Sequence, residues 1–155
     1  MEKRNNFRRV KNFFNSKLEK IGYNGVFGAA DFKRVCEGLM PVQRKRLENI
    51  CSGQFQNLMK KGSIICIGIA YPEHAIDCID VRLNSGTVDK SAWNLYAREY
   101  HTLNRLLNTI SENIAEHFGG KPISATMEGI TVKNVEDYYR MTISHRVIAE
   151  NAGFG

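Results

Sequence analysis

Ser63–Tyr71 reads SIICIGIAY, and this stretch decides the fold. It is short, nearly all apolar and rich in β-branched side chains, which predicts a central strand covered on both faces. Gly68 marks a close approach of another backbone or of a ligand. Pro72 stops the strand, because proline cannot donate to a ladder.

Working outward, residues 2–21 predict an amphipathic helix. Phe7, Val10, Phe14, Leu18 and Ile21 recur at helical spacing, with Phe13 widening the stripe. Gly22 ends it, and Tyr23–Ala30 reads as a short strand or turn. Asp31–Leu39 reads as helical. Pro41 suits the first position of a helix running to about Cys51, with Leu47, Ile50 and Cys51 facing inward. Beyond Pro72, the alternation in Ile76–Leu83 fits an edge strand or a loop, and Asn84-Ser85-Gly86 is a turn signal. Asp89 is placed to cap the longest helix, whose apolar stripe runs Trp93, Tyr96, Tyr100, Leu103, Leu107, Ile110, Ile114, Phe118 before Gly119-Gly120. Lys121–Met127 resembles a second strand, extended or turned at Glu128–Val132, and Lys133–Arg140 is a polar connection. A closing helix follows, capped by Thr142 or Ser144, with Gly153 at its end. Long helices alternating with few strands imply an α/β or α+β layered sandwich, a small central sheet flanked by helices.

The chain has 155 residues, 43% hydrophobic and 25% charged, which is the make-up of one globular domain spanning 1–155. No apolar run approaches the roughly 20 residues that span a bilayer, and no signal-peptide pattern is seen. The cysteines Cys36, Cys51, Cys66 and Cys78 form no C-x-x-C pair, so they read as reduced thiols of a cytoplasmic protein rather than cluster or zinc ligands. A metal site from His74, Asp77 and Cys78 has no recognised spacing. The net charge of +6 is concentrated in residues 1–22, where seven Lys or Arg oppose Glu2 and Glu19. That segment and Arg44-Lys45-Arg46 are either solvated helix faces or a contact for RNA.

Three groups stand out chemically. Tyr96, Tyr100 and His101 are either an aromatic core patch or one wall of a cofactor pocket. Asp137 and Tyr139 are candidate proton donors; a tyrosine is protonated at neutral pH. Ser144, His145 and Arg146 open the closing helix, where Ser144 is either a cap or a ligand contact and Arg146 either an ion pair or an anion clamp.

The segment SHRVIAENAGFG ending at Gly155 resembles the end of the cobalamin-binding domain of the epoxyqueuosine reductase family. In that family a helix runs into Ala-Gly-Leu-Gly and then Trp-x-Gly-Lys-Asn; Ala152-Gly153-Phe154-Gly155 matches the first part. Tyr96-Ala97-Arg98-Glu99-Tyr100-His101 is similar to the family's Tyr-Ala-…-Asp-Tyr-His. Ile21–Val26 and Ser63–Tyr71 match more weakly, in family order. The resemblance implies a nitroreductase-like fold and an oxidoreductase of queuosine tRNA modification. Cobalamin would be held by Tyr96, Tyr100, His101, Ser144, His145, Arg146 and Gly153. The family's proton-donating Asp falls on Tyr139, with Asp137 two residues away; the related reductive dehalogenases use a tyrosine there. The family's ferredoxin-like iron–sulfur motifs are missing, so a truncated domain is implied, inactive without an electron-donating iron–sulfur domain or protein. Partners implied or allowed are tRNA and a homodimer mate. Alternatives are a non-catalytic binding module contacting RNA through the basic N-terminal helix, and a flavin-binding nitroreductase-like protein.

Overall fold

Strand β1 (Gly25–Asp31) and strand β2 (Ser63–Ile69) pair antiparallel, with Gly25 opposite Ile69 and Asp31 opposite Ser63. The computed structural model describes residues 2–77, 79, 83, 85–87, 89–124 and 142–154. Around the strands lie helices α1 (Glu2–Ile21), α2 (Phe32–Gly38), α3 (Pro41–Cys51), α4 (Phe55–Lys61), α5 (Glu73–Asp77), α6 (Lys90–Phe118) and α7 (His145–Asn151). A 3-10 turn at Ser52–Gln54 joins α3 to α4. The class is α+β: helices with a small two-stranded antiparallel sheet among the described residues.

Side-chain alternation along the strands builds two cores, one on each face of the sheet. Phe27, Ile65, Ile67 and Ile69 pack with Val10, Phe14 and Leu18 of α1 and Ile110 and Ile114 of α6. Ala30, Ile64 and Cys66 pack with Phe32, Val35, Leu47, Cys51, Phe55 and Ile148 from α2, α3, α4 and α7. Phe14 and Val35 are 0% exposed and so anchor the two layers. Gly28 is where α7 reaches the sheet: a Cβ there would lie 2.8 Å from the Ala152 carbonyl oxygen.

The helix signals act as the sequence predicts. Asp31 and Asp89 accept from the backbone N–H groups of Arg34 and Ser91 and so cap α2 and α6. Pro41 opens α3. Gly119 ends α6 in a left-handed conformation at φ 75°.

Four readings change. Tyr23–Ala30 resolves as a strand, shifted to Gly25–Asp31. The Ser63–Tyr71 strand ends at Ile69 and has helices on both faces, and among the described residues β1 is the one strand paired with it. Glu73–Asp77 forms a short helix with Ala75 buried and Ile76 exposed, which takes the first two residues of Ile76–Leu83; residues 78 and 80–82 of that stretch lie outside the described residues. Helix α4 was not anticipated, since Gly53 reads as the end of α3 and no side chain caps α4. Of Lys121–Met127, residues 121–124 have no regular structure. The remainder of that segment, with Glu128–Val132 and Lys133–Arg140, lies outside the described residues.

Candidate functional site

The outer edge of β2 is the organising feature of the site. In an antiparallel ladder, facing residues alternate between pairs that exchange backbone hydrogen bonds and pairs that do not. At the two ends of this ladder, Ala70 N–H donates to Asn24 C=O and Phe32 N–H donates to Gly62 C=O. These are directly facing residues in the extended register, so the even-numbered pairs bond across it, including Gly28 with Cys66 and Ala30 with Ile64. The N–H and C=O groups of Ser63, Ile65 and Ile67 therefore point away from β1.

A cavity of about 980 Å³ runs along that edge. Its floor is Ser63–Ile67. One wall is the second half of α6, from Leu107 and Asn108 through Ser111 to Ile114, Ala115 and Phe118, with Val10 of α1 beside it. The other wall is Leu47, Ile50, Cys51 and Leu58 of α3 and α4, closed by Ile148 of α7. The cavity thus opens between the two core layers, which explains its apolar lining.

The charged side chains at its margin, Arg9 and Lys121, share one sign. Arg9, Lys121, His117 and His145 line it, and no Asp or Glu does among the described residues. Arg9 lies over the Phe118 ring at 5.8 Å, and His117 stacks on Phe13 at 5.2 Å, so α1 and α6 fix both. Asn108 Oδ1 accepts from Ser124 Oγ at 3.2 Å. One helical turn earlier, Asn104 Nδ2 is buried with no acceptor. His145 presents exposed surface to the cavity while protein crowds its other sides, and this desolvation pushes its imidazole below the ordinary value of 6.5. Lys121 is also felt by the Cys51 thiol, which burial pushes up and the ammonium draws back down. Burial pushes the Cys66 thiol up as well.

Of the candidate site residues from the sequence that are among the described residues, His145 alone lines this cavity. Ser144 Oγ accepts from Val147 N–H at 3.3 Å and so caps α7. Arg146 pairs with Glu150 at 2.8 Å, with 88% of its side chain exposed. Gly153 follows the helix at φ 89°, a left-handed conformation that suits glycine. Tyr96 stacks on Tyr71 at 5.3 Å and meets Trp93 edge-on, while Tyr100 packs against His101. These aromatics occupy the first half of α6; at about 1.5 Å per residue, Tyr100 is roughly 10 Å along the helix from Leu107. Asp137 and Tyr139 lie outside the described residues. Tyr96, Tyr100 and His101 sit on α6 and Ser144, His145 and Arg146 at the start of α7, and of these six His145 alone lines the cavity. Among the described residues no three His, Cys, Asp or Glu side chains are grouped to hold a metal ion.

The cavity residues Asn108, Ser111 and Lys121 carry no functional signal in the sequence, and Arg9 stands out there only as part of the basic N-terminal segment. The one available hint is that Asn104, Asn108 and Ser111 form a polar stripe at helical spacing beside the apolar stripe of α6. No protein-family model, curated protein or solved structure matches the chain. No helix among the described residues is long and apolar enough to cross a membrane.

Proposed function

We propose that this chain is a binding domain whose ligand is largely apolar, carries negative charge and occupies the cavity beside β2. The observation that carries this reading is the pairing of apolar walls with Arg9, Lys121 and His145 and with no carboxylate among the described lining residues. Ligand sites are concave and mostly apolar, with few polar groups that orient the ligand, and a volume of about 980 Å³ is at the upper end of their usual range. Both cations lack an ion-pair partner among the described residues, so an incoming anion need not displace one.

Calorimetric titration with dodecanoate, against dodecanol and dodecylamine as neutral and cationic controls, tests this. Saturable binding of the anion at one site is expected. Lys121→Glu should weaken it by about fivefold, the effect of roughly 1 kcal/mol at a partly exposed ion pair. Ser111→Trp, which narrows the cavity, should weaken it. Dodecanoate binding no tighter than that of dodecylamine refutes the proposal.

A second reading is favoured by the order of the motifs around Tyr96–His101 and Ala152–Gly155. It makes the chain the cobalamin-binding, nitroreductase-like part of an epoxyqueuosine reductase-like protein. Hydroxocobalamin added to the protein and retained through gel filtration, read in the visible spectrum, supports it; a colourless protein counts against it.

A further inference from the structure

The backbone geometry narrows the ligand class, on the reading that the cavity is a binding site. Ser63, Ile65 and Ile67 direct donors and acceptors into the cavity at the spacing of a strand, and no backbone bond joins Ile65 or Ile67 to another described element. A strand edge of this kind templates a further strand, since main-chain groups supply affinity and flanking pockets take alternate side chains. The helical layers stand on both sides of this edge. β2 is therefore recessed, and the edge of a second folded copy, recessed in the same way, does not reach it. A lone extended segment does.

We infer that the outer edge of β2 binds an extended segment of a separate partner polypeptide, apolar on both faces and acidic at one end. The apolar character follows from the two walls. The acidic end follows from Arg9 and Lys121, which line the cavity with no ion-pair partner and no lining carboxylate among the described residues. Opposite charges there fix the direction and register of an otherwise repetitive strand.

The test uses the whole chain and a synthetic ten-residue peptide, two glutamates followed by alternating valine and isoleucine. Two variants of the peptide carry backbone N-methyl groups, one on every valine and one on every isoleucine. Only one of the two sets of amides can face β2. One N-methylated peptide should therefore bind like the parent and the other at least tenfold more weakly. Amide hydrogen exchange at Ile65 and Ile67 should be fast in the free protein and slow with the peptide. Equal binding of both methylated peptides, or slow exchange at Ile65 and Ile67 before peptide is added, overturns the inference. If dodecanoate still binds while the peptides fail, the strand is wrong and the cavity reading stands. If neither binds, both fall. Self-association that protects the same amides assigns the edge to a second copy and also overturns the inference.

Discussion

Proline at two adjacent positions of β2 separates its inner edge from its outer one. Cys66 N–H points at Gly28 C=O, whereas Ile67 N–H points into the cavity. Proline removes the donor in either case, and its fixed φ near −65° departs from strand geometry equally at both sites. The difference is in what is lost. At Cys66 one ladder bond disappears, worth about 1 kcal/mol, and the carbonyl of Gly28, a buried residue, is left without a donor at a cost of about 1–3 kcal/mol. Cys66→Pro should thus be about 2–4 kcal/mol less stable than Cys66→Ala. At Ile67 no bond between the strands is broken, so Ile67→Pro should fall within about 1 kcal/mol of Ile67→Ala. Urea unfolding followed by circular dichroism reads both pairs. With a slope of about 2 kcal/mol per molar, the Cys66 pair should differ by about 1–2 M in midpoint and the Ile67 pair by less than about 0.5 M. Equal penalties at the two sites, or the larger one at Ile67, would refute the register argument and with it the free edge.

Three further outcomes follow from the packing and the charges. Phe14 is 0% exposed between α1 and the sheet, so Phe14→Ala should cost about 3–5 kcal/mol, measured as a lowered melting temperature. Gly28→Ala places a Cβ 2.8 Å from the Ala152 carbonyl oxygen, while Gly53→Ala meets nothing within 4 Å; only the first should destabilise, and a proteolysis assay should show α7 released first. Tyr71 is pushed up to about 12 from its ordinary 10.0, by burial and then by its hydrogen bond with Tyr96. The folded state holds that proton more tightly, so this contribution is full below pH 10 and is lost as the pH climbs towards 12. Absorbance at the tyrosinate band should lose one late-titrating group in Tyr71→Phe and keep Tyr23, which its hydrogen bond to Glu99 also pushes up.

How far the sequence reached depends on whether a signal is local. The stripes of α1 and α6 are periodic over many turns, and Phe14, Leu18, Ile110 and Ile114 face the core as that periodicity requires. β2 was legible as a strand because its side chains are apolar on both faces. Its pairing with β1 alone among the described residues was not, because covering two faces says nothing about how many strands lie alongside. Helix α4 is only seven residues and starts directly from a 3-10 turn with no side-chain cap, so Phe55, Leu58 and Met59 give FQNLMKK a single turn of apolar spacing. The exposed ends of the long stripes, Phe7 and Ile21 on α1 and Trp93 and Tyr100 on α6, show where periodicity runs on past the partner that would cover it.

The site was less legible than the fold, and the reason is again the range over which it is assembled. Residue type drew attention to Tyr96, His101, Ser144 and Arg146, whose chemistry is versatile. In the fold these satisfy one another or their own helices: Ser144 caps α7, Arg146 pairs one turn on, and Tyr96 stacks on Tyr71. The cavity instead joins Arg9, Ile67, Lys121 and His145, which no short motif can bring together. Its chemistry comes from two features without a residue signature. One is a row of main-chain groups on the outer edge of β2. The other is the exclusion of carboxylates from the described lining of a chain that carries 16 Asp and Glu. A core-facing helix does not require the amides of Asn104 and Asn108, and the buried, unpartnered Nδ2 of Asn104 costs stability where it stands. Asn108 and Ser111, which line the cavity, are the trace that it leaves in the sequence, and they place it on the second half of α6, away from the tyrosines.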